Sequence, residues 1–168
     1  MPIQPGDTLP DIELQVMGEK GPEKVRTSEL FAGKKAVLFA VPGAFTPTCS
    51  AAHLPGFVVN ADKLRAKGID SIVCTSVNDA FVMDAWGKAH NAEEIIMLAD
   101  GVAEFAKALD LAQDRTANGM GIRSQRYAMI VNYGKVELLN IDAHQLGRDV
   151  QALQSVYGNP QPLAEFDL

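Results

Sequence analysis

A stretch of 26 consecutive residues without lysine, arginine, aspartate or glutamate, residues 36–61, constrains the fold of this 168-residue chain more than any other feature. On charge alone, this stretch is long enough to span a membrane. Its continuous apolar run covers only residues 36–41, however, and prolines, glycines, threonines and a histidine interrupt the rest. The pattern therefore predicts a strand buried on both faces, followed by a polar turn and a helix.

Apolar runs and amphipathic stretches alternate along the rest of the chain, which is typical of strands and helices layered on one sheet. Further strands are predicted at residues 69–76, 95–98, 127–131 and 136–139, the last two joined as a hairpin through Gly134. Helices are predicted from about residue 47 to before Gly68, from Asn78 and Asp79 to about His90, over 102–109 and over 145–157. We therefore predict an α/β fold in a single domain, residues 1–168, because no linker or internal repeat divides the chain.

Composition and charge indicate which kinds of binding partner and which cellular compartment to expect for this protein. The 15 lysines and arginines against 21 acidic residues give a net charge of -6, which would repel nucleic acid. The first twenty residues have neither the basic start nor the apolar segment of a secretory signal. Two cysteines are too few for a disulfide framework. We therefore expect a cytoplasmic protein that binds neither nucleic acid nor membranes.

Cys49 is the candidate nucleophile, because it lies where the predicted buried strand passes into a helix. Unpaired backbone N–H groups and the positive end of the helix dipole stabilise a thiolate at such a position. Lowering a thiol pKa from about 8.5 to about 6 raises the ionised fraction at pH 7 about thirtyfold. Thr46, one helical turn earlier, could donate to this thiolate or accept from an incoming hydroxyl. Pro42 is expected to shield the site from water.

A positive side chain beside Cys49 must come from another part of the chain, because residues 36–61 contain no cation. Arg126 is the first candidate, since it begins a predicted strand that would deliver its first residue to the rim of the sheet. Arg123 and Arg115 are the alternatives. Metal ligation has little support, because His90 and His144 are far apart and have no cysteine or carboxylate at ligand spacing.

The segment PGAFTPTCS contains a Pro-x-x-x-Thr-x-x-Cys pattern, and the longer VPGAFTPTCSAAHLPGF resembles the type II, or atypical, peroxiredoxins, the peroxiredoxin-5-like subgroup with glutaredoxin-linked plant and bacterial enzymes. The similarity continues through SVNDAFVMDAW, LADG and RSQRYAMIV, and so covers nearly the whole chain. It implies a thioredoxin-like fold, a central mixed sheet flanked by helices with an N-terminal extension. It also implies a homodimer and a peroxide-reducing thiol.

The resemblance assigns roles to individual residues. It makes Cys49 the peroxidatic cysteine, with Thr46, Pro42 and Arg126 as its catalytic partners. The remaining pocket residues that it implies are Gly43, Phe45, Thr48, His53 and Phe81. His53 would be a helper rather than a required base, and a histidine that only satisfies a local hydrogen bond is an equally good interpretation.

Two aromatic side chains have alternative interpretations. Phe81 shares a predicted helical face with Val82 and Trp86, and this face is expected in the core. Alternatively, Phe45 and Phe81 form an apolar rim shared with a second subunit, because exposed apolar clusters commonly mark interfaces.

Cys74 falls inside the predicted strand 69–76, where a buried packing residue is expected, with a resolving or regulatory role as the alternative. Some members of the subgroup carry a further resolving cysteine near the C-terminus, but residues 142–168 contain none. An internal disulfide with such a partner is therefore excluded. The oxidised Cys49 is expected to be reduced by an external thiol, glutathione with glutaredoxin, or by thioredoxin.

The sequence therefore predicts a cofactor-free thiol peroxidase that reduces hydrogen peroxide and organic hydroperoxides in antioxidant defence and redox homeostasis. The alternative from another class is a redox-sensing binding protein, in which oxidation of Cys49 changes partner contacts. A thioredoxin-like disulfide reductase is disfavoured, because Ser50, Ala51 and Ala52 follow Cys49 where a Cys-x-x-Cys pair would be needed.

Overall fold

The computed structural model describes residues 1–47 and 54–141. The strands in these ranges are β1 (Glu13–Gly18), β2 (Gly21–Arg26), β3 (Lys35–Ala40), β4 (Ser71–Ser76), β5 (Ile95–Ala99), β6 (Ala112–Asp114), β7 (Ile122–Ser124), β8 (Tyr127–Asn132) and β9 (Lys135–Ile141). The helices are α1 (Thr27–Leu30), α2 (Leu54–Ala66), α3 (Ala80–Ala89) and α4 (Glu104–Ala108), with a 3₁₀ turn at Thr116–Asn118.

Seven of these strands form one mixed sheet in the order β2-β1-β5-β4-β3-β8-β9. The three central strands β3, β4 and β5 are parallel, while β8 joins β3 antiparallel and β1 joins β5 antiparallel. Parallel strands in sequence order require crossover helices, and α2 and α3 supply them. The predicted α/β architecture with a central mixed sheet is thus confirmed.

Side chains of β3 alternate between two hydrophobic cores, one on each face of the sheet, because successive residues of a strand point to opposite sides. Val37 and Phe39 pack into the core beneath α2 and α3. Ala36, Leu38 and Ala40 pack into the opposite core. This double burial explains why the sequence of β3 is a continuous apolar run rather than an alternating pattern.

Helix α3 begins as predicted, and Trp86 is buried as predicted, but the rest of its buried face differs from the predicted one. The side chain of Asp79 caps the helix by accepting from the backbone N–H of Val82 at 2.8 Å. The buried residues are Ala80, Met83, Trp86 and Gly87. Phe81 is 65% exposed, so its expected place in the core is wrong. Both residue sets have helical spacing, and only the docking of the helix on the sheet decides which set is covered.

Two hairpins were not predicted from the sequence, β1–β2 near the amino end and the three-residue pair β6–β7. Strand β2 contains Gly21, Pro22, Glu23 and Lys24, so it has little of the usual strand composition, and it lies at an edge of the sheet. The predicted helix over 145–157 lies outside the described residues. In the ranges that the structure covers, no helix is both long and apolar enough to cross a membrane.

Candidate active site

The candidate site is built on the β3 loop, residues 41–47, which leaves the carboxyl end of β3. Val41 donates its backbone N–H to Thr75 O at 3.2 Å, so the loop begins beside the end of β4. Pro42 and Gly43 are buried, whereas Phe45 and Pro47 are exposed. The carboxyl ends of parallel strands meet at one edge of a sheet, where ligands commonly bind in α/β folds.

Within the β3 loop, the hydroxyl of Thr46 donates to the carbonyl oxygen of Gly43 at 2.6 Å. A carbonyl oxygen can only accept, so this bond uses the single hydroxyl proton of Thr46. The lone pairs of Thr46 Oγ1 are left to accept from an incoming O–H group. In this geometry Thr46 Oγ1 is available as an acceptor, whereas donation to a thiolate, which the sequence also allowed, would require the bond to Gly43 to break.

Gly43 is closely surrounded. A Cβ atom at this position would lie 3.0 Å from Thr46 Cγ2, 3.3 Å from a guanidinium nitrogen of Arg123 and 3.4 Å from the terminal methyl of Met120. The distances to Thr46 and Arg123 are tighter than ordinary van der Waals contact, so an alanine would displace at least one of these neighbours. The glycine therefore lets Thr46 and Arg123 approach the same backbone segment.

Phe45 adopts a left-handed backbone conformation, with φ of 62°. Residues other than glycine and asparagine rarely adopt this conformation. Its side chain is 53% exposed, so Phe45 is not part of the core of this chain. Phe81 lies in the first turn of α3 and is similarly exposed. The expected burial of Phe81 in the core is therefore wrong, and the alternative of an apolar rim formed by Phe45 and Phe81 stays a prediction.

Asn78, which was not singled out as a site residue, lies in the connection between β4 and α3. Its Oδ1 accepts from the backbone N–H of Ala44 at 3.0 Å and from the hydroxyl of Ser76 at 2.7 Å. The available signal in the sequence was the position of Asn78 directly after the strand that neighbours β3. Residues in that position reach the same edge of the sheet as the β3 loop.

Arg126 and Arg123 lie at this edge. Ala40 pairs with Tyr127 across β3 and β8, so Arg126 lies beside the start of the β3 loop, while its predicted place beside Cys49 stays a prediction. Arg123 donates from Nε to Met120 O at 2.9 Å, and from a terminal nitrogen to Val77 O at 3.0 Å and Pro42 O at 3.5 Å. The third candidate, Arg115, lies in the connection between β6 and β7.

Of the two cysteines, the structure describes Cys74 but not Cys49. Thr48, Cys49 and His53 lie outside the described residues, so their roles stay predictions. Cys74 is completely buried in β4, between Phe39 of β3 and Met97 of β5 in the strand register. The expectation that Cys74 is a buried strand residue is confirmed. No group of three potential metal ligands occurs within residues 1–47 and 54–141.

A known family and known proteins match this chain over most of its length. The chain matches the family described as Redoxin over residues 4–156. It is 49% identical over 143 residues to Peroxiredoxin-2C of Oryza sativa subsp. japonica, which covers 84% of this chain and 88% of that protein.

Solved structures are similar over most of the chain. Reduced Prx3 from Vibrio vulnificus, in complex with H2O2, has 61% identity and a TM-score of 0.80, covering 83% of this chain and 87% of that one. Peroxiredoxin 5 from Alvinella pompejana has 33% identity and a TM-score of 0.82, covering 92% of this chain and 99% of that one. These similarities confirm the thioredoxin-like fold that the resemblance implied.

Proposed function

Because this chain belongs to the redoxin family and is a peroxiredoxin, and thus a peroxidase, we propose that the thiol of Cys49 reduces the peroxide and that glutathione returns the oxidised Cys49 to the thiol. The observation that carries this proposal is the bond from Thr46 to Gly43, which leaves a hydroxyl oxygen as an acceptor beside the end of β3. Arg126 lies at the same end of the strand. The relatives do not favour the alternative of a redox-sensing binding protein.

In the first step, the thiolate of Cys49 attacks the peroxide oxygen that bears hydrogen, in line with the O–O bond. Thr46 accepts a hydrogen bond from that O–H group and so orients the peroxide for attack. The O–O bond breaks, and its electron pair leaves with the other oxygen, which takes a proton to become water or alcohol. Arg126 stabilises the negative charge that develops on this leaving oxygen. Cys49 is then a sulfenic acid.

Regeneration requires an external thiol, since Cys74 is the second of the two cysteines and is completely buried in β4. A disulfide needs its two Cα atoms within about 7 Å and both sulfur atoms accessible to each other. Glutathione instead condenses with the sulfenic acid, releasing water and forming a mixed disulfide. A glutaredoxin thiol or a second glutathione then releases the reduced enzyme.

The reductant is tested by steady-state peroxide consumption with glutathione, glutathione plus glutaredoxin, and thioredoxin supplied in turn. Intact mass spectrometry after one equivalent of peroxide and one equivalent of glutathione, with no glutaredoxin present, should show one glutathione adduct, lost in Cys49→Ser. Turnover that requires Cys74 and forms a Cys49–Cys74 disulfide would instead assign thioredoxin, or another dithiol, as the reductant.

We also propose that the protein is a cytoplasmic homodimer. A reducing compartment suits a mechanism that depends on glutathione and a chain with two cysteines. The exposed phenylalanines Phe45 and Phe81 support the dimer, because their burial against a second subunit would remove apolar surface from water.

A further inference from the structure

We propose that Arg123 and Asn78 are positioning residues that hold the β3 loop from two sides and so set the place of the Thr46 acceptor oxygen. This inference rests on the proposed function, because it concerns the pocket in which Cys49 meets peroxide. It assigns Arg123 a role different from that of a cation contacting the thiolate, which was its role among the sequence candidates.

Arg123 joins three segments that are distant in sequence. Its guanidinium donates to the backbone carbonyls of Met120, Val77 and Pro42, at 2.9, 3.0 and 3.5 Å. These partners lie before β7, after β4 and after β3. A planar guanidinium offers several donors in fixed directions, whereas a lysine ammonium is a compact point charge on a flexible stem. The geometry therefore uses the shape of arginine and not only its charge.

Asn78 holds the next part of the same loop. Its side-chain oxygen accepts from Ala44 N and from Ser76 Oγ, so the amide group is itself held in place by β4. The adjacent Asp79 caps α3, which fixes the connection from which Asn78 projects. The anchor for Ala44 is therefore attached to both a central strand and a helix.

The two contacts act on either side of Gly43. Arg123 contacts the carbonyl oxygen of Pro42, and Asn78 contacts the N–H of Ala44. The carbonyl oxygen of Gly43 lies between them and accepts from Thr46. Tilting the Gly43–Ala44 peptide group would therefore move the Thr46 hydroxyl, and a displacement of about 1 Å in a reacting pocket can cost up to about a hundredfold in rate.

The test compares two reactions of the same thiol in the full-length protein. The rate constant with hydrogen peroxide depends on the fraction of Cys49 that is thiolate and on the geometry of the peroxide pocket. The rate of alkylation by iodoacetamide depends on the thiolate fraction but does not use the peroxide pocket. We expect Arg123→Lys and Arg123→Met each to lower the ratio of peroxide rate to alkylation rate by about 10- to 100-fold. Equal losses in both variants are expected because lysine keeps the charge but not the fork of donors.

Arg65→Met is the matched control. Arg65 also donates a guanidinium hydrogen bond to a backbone carbonyl, Glu94 O at 3.0 Å, but from the end of α2 to the start of β5, at the opposite edge of the sheet. This variant should keep the wild-type ratio of peroxide rate to alkylation rate.

A second pair of variants tests the contact of Asn78 with Ala44. Asn78→Asp keeps an acceptor oxygen for Ala44 and should keep most of the ratio. Asn78→Leu should lose about as much as Arg123→Lys.

The possible results test the proposed function and the positioning role separately. Failure of the wild type to reduce peroxide would refute the proposed function. A wild type that turns over while both Arg123 variants and Asn78→Leu, shown folded by circular dichroism, keep its ratio would refute the positioning role alone. An Arg123→Met variant with slower alkylation, restored by Arg123→Lys, would also refute it and assign Arg123 as the cation that stabilises the thiolate.

Discussion

The ring of Phe39 on β3 stacks on the ring of Phe57 on α2, with centroids 4.0 Å apart and planes inclined by 10°. This contact joins the strand before the candidate site to the helix after it. Both rings are almost completely buried. The strand before residues 48–53 and the helix after them therefore belong to one packed core.

Cys49→Ser should abolish peroxide reduction, whereas Cys74→Ala should retain most of it. The thiolate is the attacking group in the proposed reaction, while Cys74 is completely buried in β4, away from solvent and peroxide. Alanine is the better replacement at Cys74, because a serine hydroxyl without a partner in the core costs about 1–3 kcal/mol. Peroxide consumption measured for both variants decides the matter. An inactive, folded Cys74→Ala protein would contradict the assignment of Cys49 as the only reacting thiol.

Thr46→Val should lower the rate constant with hydrogen peroxide by about 10- to 100-fold, because the methyl group that replaces the hydroxyl cannot accept a hydrogen bond. Thr46→Ser keeps both the bond to Gly43 and the acceptor, so it should lose much less. Stopped-flow measurements on the two variants provide the comparison. Similar losses in both would show that the methyl group of Thr46 matters more than its hydroxyl.

Arg126→Ala should raise the pKa of the Cys49 thiol and slow the reaction with peroxide, because it removes a cation from the edge where the β3 loop begins. A higher thiol pKa leaves less thiolate at neutral pH, so the pH–rate profile should move to higher pH. Thiolate absorbance titration and stopped-flow rates measure the two effects, with Arg65→Ala as control. Unchanged pKa and rate would remove Arg126 from the site.

The wild-type protein should sediment as a dimer at micromolar concentration, and Phe81→Ser should weaken the association. Phe81 is 65% exposed on α3, so its replacement removes apolar interface area without creating a cavity in the core. Val59, an exposed residue of α2, offers a matched control through Val59→Ser. A monomeric wild type across this concentration range would contradict the dimer, and equal weakening by both variants would contradict an interface centred on Phe81.

Asp100 should make the protein less stable as the pH rises above about 4. It is 2% exposed and accepts from the backbone N–H groups of Phe105 and Ala106, yet burial raises its pKa above the ordinary value of 3.8. Between these two pKa values, the native state binds more protons than the unfolded state, so the free energy of unfolding falls as pH increases. The loss is complete once the pH is well above the pKa in the folded protein, where both states are deprotonated.

Urea denaturation of wild type and Asp100→Asn across this pH range tests the linkage. The free energy of unfolding of the wild type, relative to the variant, should decrease with rising pH and then become constant. The asparagine variant lacks the titrating group, so other carboxylates cancel in the difference. A difference that does not change with pH would contradict the raised pKa.

Local patterns were sufficient for much of the fold. The apolar run of β3 and the cap at Asp79 predicted a strand and a helix where the structure has them, because burial and capping depend on nearby residues. The β1–β2 hairpin was missed, since its outer strand is polar and is held by pairing with β1 rather than by its own composition. The exposure of Phe81 was also missed, because docking decides which helical face is covered.

The sequence by itself determined the class of fold and the candidate nucleophile, because apolar periodicity and the spacing of Pro42, Thr46 and Cys49 are contained in short segments. Only the tertiary structure decided that Asn78 and Arg123 contact the β3 loop. Their separation from it along the chain carries no information about contact, since Asn78 reaches the loop from the end of the neighbouring strand β4 and Arg123 reaches it from the separate β6–β7 pair. The direction of the Thr46 hydroxyl was likewise decided by backbone geometry, which the identity of a residue does not specify.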